Sequence, residues 1–200
     1  AVNNETGVYQ DLNAIEYTIR SRNKSVSWMV DCVQALGKQA LALSSTSIDY
    51  APFSGHKLYA PKGIGFLYIK NGSAYTPFIA GGGQESGMRS GTENLPGIAG
   101  LNKLFNLLLD KNDDTFKSVE VLNSYRAQLL NALQSTFGDI TFNHDFSHSV
   151  PTTLNFAVDT LTSKEVIDLF DAAGIRVSGG SACSTGATRS FVLDAMGATN

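Results

Sequence analysis

Residues 54–63 read "SGHKLYAPKG", a histidine and a lysine set between small residues. Before them "IDYAPF" and after them "GIGFLYIK" are apolar runs rich in β-formers that read as strands. Lys57 therefore falls on a loop joining two strands, where functional groups concentrate on a rigid scaffold. Upstream, Leu12, Ile15 and Ile19 recur at spacings of three and four behind a candidate N-cap, Asp11, which predicts a helix over 12–22. "SVSWMVDCVQ" gives a short apolar strand over 26–30, with Asp31 at its carboxyl end and a turn at Gly37. In an open α/β sheet, that end of a strand is where ligands sit. Downstream, Pro96 opens a helix through Leu109, and a second helix over 118–136 places Val121, Leu122, Tyr125, Leu129, Leu130 and Leu133 on one face. The charged break "DKNDD" between them predicts a domain boundary, dividing 1–110 from 111–200. Beyond it "DITFN", "PTTLNFAV", a helix "SKEVIDLFDAAG", a strand "IRVSGG" and a helix "SFVLDAMG" alternate as a small α/β unit.

With 200 residues, 42% hydrophobic and 16% charged, the chain can bury one large core or two small ones. A net charge of -3, with both signs dispersed, argues against a nucleic-acid surface or a polybasic membrane contact. A small-molecule or protein partner fits better. Two cysteines, Cys32 and Cys183, are too sparse for a disulfide framework and point to a reducing, cytoplasmic setting. No apolar run approaches the ~20 residues that span a bilayer, and no signal peptide opens the sequence. "AVNNETGVYQ" lacks an initiator Met and begins like the end of a strand, so the sequence is expected to start inside a larger protein.

Taken singly, the polar motifs say little. "GGGQESG" has neither a phosphate-loop GK[ST] nor GxGxxG spacing, and reads as a flexible loop or a ligand-binding one. His144 and His148 have metal-pair spacing but lack a helix and a third ligand, so no metal site is expected. Trp28 reads as core. Cys183, in the small-residue stretch "SGGSACSTGA", could reach out and attack as a thiolate; Cys32, in "VDCVQ", reads as a small buried hydrophobe. Taken together, Asp31, Gln34, Ser54, His56 and Lys57 have complementary chemistry. A lysine can form an imine with the aldehyde of pyridoxal 5'-phosphate, a carboxylate keeps the ring nitrogen protonated, and hydroxyl and imidazole groups hold a phosphate.

"VNNETGVYQ", "VDCVQALGK", "SGHKLYAPKGIGFLY", "GGGQESGMRSGTEN" and "SGGSACSTG" resemble, in order and spacing, five motifs of the NifS-like cysteine desulfurases, class V aminotransferases on fold type I. The resemblance implies an α/β, PLP-dependent transferase-like fold: part of the large, mainly parallel-sheet domain with most of the small C-terminal α/β domain. It implies that Lys57 binds pyridoxal 5'-phosphate covalently, that Asp31 pairs with the pyridine nitrogen, and that Gln34 bonds the ring hydroxyl. Ser54 and His56 resemble phosphate ligands. Thr92 resembles the threonine that reaches the neighbouring subunit's phosphate, which implies a homodimer. Asn4 resembles the asparagine that touches substrate carboxylate and cofactor.

In the same resemblance Cys183 takes the nucleophile's place. It would receive sulfur from L-cysteine as a persulfide, release L-alanine, and pass the sulfur to an acceptor such as an iron-sulfur scaffold protein. The family's ring-stacking histidine and small-residue phosphate loop would precede Ala1, and its substrate-carboxylate arginine would follow Asn200. The chain is thus expected to be the central portion of a desulfurase of about twice this size, inactive or weakly active alone. Selenocysteine lyase and cysteine sulfinate desulfinase share the same machinery, and a catalytically silent dimerisation or docking module is the reading from another class.

Overall fold

In the computed structural model, which describes residues 1–110, 112–180 and 190–198, Asp11 caps helix α1 (Leu12–Arg22) by accepting from the Ala14 amide at 3.0 Å. No residue of α1 is buried. The helix is held from its polar side instead: Glu16 accepts from the Ser47 amide at 2.9 Å, and Arg20 donates to the Ser47 hydroxyl and carbonyl at 2.8 and 2.9 Å. Strands β1 (Tyr50–Ser54) and β2 (Gly65–Ile69) pair antiparallel, in a register that sets Phe53 opposite Phe66. Those two rings stack at 4.5 Å, and Phe66 meets the edge of Phe105 at 5.6 Å. Phe105 lies on helix α2 (Leu95–Leu109), whose N-cap is Asn94 and whose first turn holds Pro96, as the spacing predicts. Leu101 and Leu104 of α2 bury against Leu58 and Ala60, with Leu36, Ile64 and Phe116 packed around them.

The expected strand over 26–30 forms only one bridge, Met29 to Tyr50, parallel to β1. The Tyr50 amide donates to the Trp28 carbonyl at 3.2 Å and the Val30 amide to the Tyr50 carbonyl at 2.9 Å, but the next bond of a parallel ladder needs an N–H at position 52, and Pro52 has none. Where a mainly parallel sheet is expected, the regular pairs among the described residues are antiparallel. The connection from β1 to β2 is short and carries no crossover α-helix, and such a link returns a strand antiparallel.

A second set of elements follows. Helix α3 (Val119–Thr136) is capped by Ser118, and strands β3 (Ile140–Phe142) and β4 (Phe156–Val158) pair antiparallel. Helix α4 (Ser163–Ala172) opens on a capping box of Thr162 and Glu165, and α5 (Phe191–Ala195) is capped by Ser190. The strand expected over 175–180 does not form. Its first amide, that of Ile175, donates instead to the Phe170 carbonyl at 2.9 Å while the Gly174 amide reaches Asp171. These two bonds close α4 in a Schellman motif, which leaves the segment without a ladder partner.

The chain divides into two units: residue 1 with 10–116, and residues 2–9 with the described residues from 117 on. The N-terminal segment belongs to the second unit. The Val150 amide donates to the Gly7 carbonyl at 2.9 Å, the Tyr9 amide to the His148 carbonyl at 3.0 Å, and Val8 bridges Ser149 antiparallel. Among the described residues no helix is long and apolar enough to cross a membrane.

Candidate functional site

Ser54 ends β1, and the chain turns at once into a 3-10 helix, Gly55–Leu58. Lys57 therefore stands on a helical turn where an irregular loop is expected. The turn is amphipathic over its few residues: Leu58 enters the α2 core at 4% exposure, while His56 and Lys57 face outward. Burying that one leucine is worth about 2 kcal/mol, enough to fix which way its neighbours project. Tyr59 closes the turn in a left-handed conformation, φ 68°, with its amide donating to the Gly55 carbonyl. Ser54 Oγ and His56 Nδ1 lie 2.8 Å apart, so the hydroxyl and imidazole form one polar pair at the strand end.

A second turn lies against the first. Asp31 Oδ1 accepts from the Val33 amide at 2.9 Å, the Ala35 amide reaches the Cys32 carbonyl at 3.0 Å, and the Lys38 and Gln39 amides reach the Ala35 carbonyl. Cys32 and Ala35 are fully buried, which fixes the turn from beneath. Burial pushes the Cys32 thiol up, and the Asp31 charge adds to the shift; Cys32 is a core group with little thiolate character, as its apolar neighbours predict. Gly37 takes a φ of +73°, and a Cβ there would lie 2.8 Å from Leu58 Cδ2. Only glycine allows the two turns this approach. Lys38 then donates from Nζ to Gln34 Oε1 at 2.7 Å. Its amine is pulled below the usual lysine range, first by burial and then by the Lys57 charge.

The structure thus joins Gln34 to Lys38, within electrostatic reach of Lys57, and joins Ser54 to His56. Asp31 is exposed at the start of the same turn. Lys38 is the residue that motif reading passes over. Its signal was the spacing of four from Gln34, legible only once the intervening segment is known to curl as successive turns.

The glycine-rich segment is tied down. Ser90 donates to the Gly82 carbonyl at 2.7 Å, its amide reaches the Ile79 carbonyl at 3.0 Å, and Gln84 Oε1 accepts from the Gly91 amide at 3.2 Å. Thr92 follows, exposed, just before the Asn94 cap of α2. Asn4 lies in the other unit, on a turn that Asn3 Oδ1 organises by accepting from the Glu5 and Thr6 amides at 2.9 and 3.0 Å. Cys183 lies outside the described residues. Trp28 is buried as core. His148 pairs with Asp145 at 2.9 Å, and among the described residues no group of three or more His, Cys, Asp or Glu side chains is placed to hold a metal ion.

An open cleft at the amino end of β1 is lined by Arg20, Lys24, Ser47, Asp49, Lys70 and Ser73. Two of its cations are engaged structurally: Arg20 donates to the Val26 carbonyl at 2.6 Å and Lys70 to the Thr46 carbonyl at 2.9 Å. Asp49 accepts from the Trp28 amide at 2.8 Å, the chief cause that holds its carboxyl below the usual range.

The sequence profile of the class-V aminotransferases matches residues 1–197. The chain belongs to the class-V aminotransferase family. Within this family it is similar to the NifS-like cysteine desulfurases: it is 38% identical over 196 residues to a cysteine desulfurase of Nostoc sp. strain PCC 7120, covering 98% of this chain and 48% of that protein. The solved structure of a NifS-like protein superposes with a TM-score of 0.85 at 32% identity, over 100% of this chain and 51% of that one. The structure of SspA in complex with cysteine matches with a TM-score of 0.72 at 29% identity, over 99% of this chain and 53% of the other. The chain spans about half the length of the curated relatives it matches. It has the fold type I architecture of these class-V enzymes, a family that depends on pyridoxal 5'-phosphate.

Proposed function

We propose that this chain carries the cofactor-attachment turn and the sulfur-accepting cysteine of a PLP-dependent cysteine desulfurase. The observation that supports the reading is the pair of touching turns at the end of β1: one carries the exposed Lys57 and the Ser54–His56 pair, and the other carries Gln34 bonded to Lys38, whose amine feels the Lys57 charge. The donor set fits pyridoxal 5'-phosphate: an amine for the aldehyde, an amide for the ring hydroxyl, a carboxylate at Asp31 for the ring nitrogen, and a hydroxyl with an imidazole for the phosphate. The family membership and the cysteine desulfurases among the relatives support the same assignment.

When bound, pyridoxal 5'-phosphate supplies an electron sink at the substrate's α-carbon. Asp31 holds a proton on the ring nitrogen by its negative charge, and Ser54 and His56 hold the phosphate, joined by Thr92 from the neighbouring subunit of a homodimer. Asn4 orients the substrate carboxylate. The Lys57 amine would take the α-proton of the substrate and return a proton to the product. Cys183, as thiolate, attacks the sulfur of L-cysteine; the carbon–sulfur bond breaks with its electron pair going to the three-carbon fragment, which leaves as L-alanine after protonation. The sulfur stays on Cys183 as a persulfide and passes to an acceptor, such as an iron-sulfur scaffold protein. The complex of SspA with cysteine supports cysteine as the substrate. The setting is cytoplasmic, where Cys183 stays reduced.

In the full-length protein, borohydride reduction in the presence of pyridoxal 5'-phosphate should leave a pyridoxyl group on Lys57, found by peptide mass spectrometry and lost in Lys57→Ala. Cys183→Ser should retain that group yet release no alanine from L-cysteine, a loss of at least about a hundredfold. A pyridoxyl group on another lysine, or full alanine release from Cys183→Ser, would overturn the reading.

A further inference from the structure

We propose that Lys38 is a positioning residue that fixes the Gln34 amide as a hydrogen-bond donor toward the ring hydroxyl of the cofactor. The inference rests on the reading of Lys57 and Gln34 given above and adds a residue to it. An ammonium group has three donors and no acceptor, so the atom 2.7 Å from Lys38 Nζ must be the amide oxygen of Gln34. With Oε1 held on the ammonium group, Nε2 is the end of the Gln34 amide turned away from Lys38, and Nε2 can only donate. A free glutamine would present oxygen or nitrogen with equal ease. Lys38 removes that choice.

The choice matters because the two ends of an amide select opposite protonation states. A donor stabilises the deprotonated ring oxygen, whereas an acceptor would stabilise the protonated one. The backbone keeps Lys38 where it can act. Its own amide is bound to the Ala35 carbonyl at 3.0 Å, the preceding Gly37 packs on Leu58, and Leu58 adjoins Lys57 in the 3-10 turn. Lys38 is half-buried, so its bond to Gln34 is sheltered from competing water, and its charge is felt together with that of Lys57.

The test uses the full-length protein with pyridoxal 5'-phosphate, unsubstituted and as K38M, which keeps length and packing, K38A and K38R. Equilibrium dialysis reads the dissociation constant of the cofactor, and the pH dependence of the visible absorption band reads the ionisation of the lysine-bound ring. K38M should raise the dissociation constant about tenfold and move the spectral midpoint to higher pH, because the oxyanion loses its fixed donor. K38R, another obligate donor, should restore both. K38A should reproduce the shift where the methionine disturbs packing. Values within twofold of the unsubstituted protein, with an unmoved midpoint in both K38M and K38A, would overturn the proposal. Absence of a borohydride-fixed pyridoxyl group on Lys57 of the unsubstituted protein would instead overturn the underlying reading, and this one with it.

Discussion

His144 has both ring nitrogens buried without a hydrogen-bond partner, its edge against Phe146 at 4.8 Å and the Arg126 guanidinium 5.4 Å above that same ring. Burial first, and the Arg126 charge second, pull its pKa down, against a smaller upward pull from Asp145. An exposed imidazole titrates near ~6.5. The neutral ring's contribution to stability is therefore complete above that pH and is lost as pH falls through the lower folded value. His144→Leu should raise the melting temperature more at pH 5.5 than at pH 8; an equal change at both would show that the imidazole's ionisation has no part in it. Sequence spacing paired His144 with His148, yet the two rings have unlike surroundings: His148 is exposed and held by Asp145, whose carboxyl is pulled down to about 2, chiefly by the Ser147 hydroxyl and amide. Spacing reports which residues could meet. Only the packing of Phe146 and Arg126 decides which one is dry.

The 3-10 turn Gly55–Leu58 is an element secured by one side chain. Leu58→Ala should lower stability by about 2–5 kcal/mol in chemical denaturation, while Lys57→Ala, one residue away on the exposed face, should stay within about 0.5 kcal/mol. Equal losses would mean that the turn is not anchored as described. Elements with a local signal were legible in the sequence: Asp11 marks the start of α1, Pro96 the first turn of α2, and apolar residues at helical spacing trace α3. The strands that failed to form did so for reasons no single segment contains. Residues 26–30 have β-forming side chains, but Pro52 of β1 has no N–H with which to extend their pairing. Residues 175–180 alternate as a strand should, but Ile175 has already given its amide to closing α4. The candidate site was legible at Lys57, Ser54 and His56, which are contiguous, and at Asp31 and Gln34 through their motif. Lys38 was not, because its role depends on the contact between Gly37 and Leu58.

At the scale of the molecule, the chain leaves the second unit after Tyr9, builds the first unit through Phe116, and returns. Residues 2–9 are joined to 147–155 by a row of bonds, in which Tyr9 Oη donates to the Ser147 carbonyl at 2.8 Å across 138 positions and Asn155 donates to the Glu5 carbonyl at 3.3 Å; the Glu5 carboxylate also accepts from Ser190. Gly7→Ala tests how much that row matters. The new Cβ would lie 2.7 Å from Thr153 Cβ, at a φ of +73°. It should cost about 1–3 kcal/mol and speed hydrogen exchange at the Val150 amide, which binds the Gly7 carbonyl, while leaving the β1–β2 amides protected as before. Equal acceleration in β1 and β2 would mean that the two units open together.

The same thread sets an order of events during synthesis. The first unit has all its strands and helices within one continuous run, and can close as soon as α2 has left the ribosome. The second cannot: residues 2–9 are made before the first unit and must wait for 147–155 to be made after it. At roughly 5–20 residues per second that interval lasts on the order of ten seconds, during which "VNNETGVY" is without its partners in 147–155 and open to a chaperone.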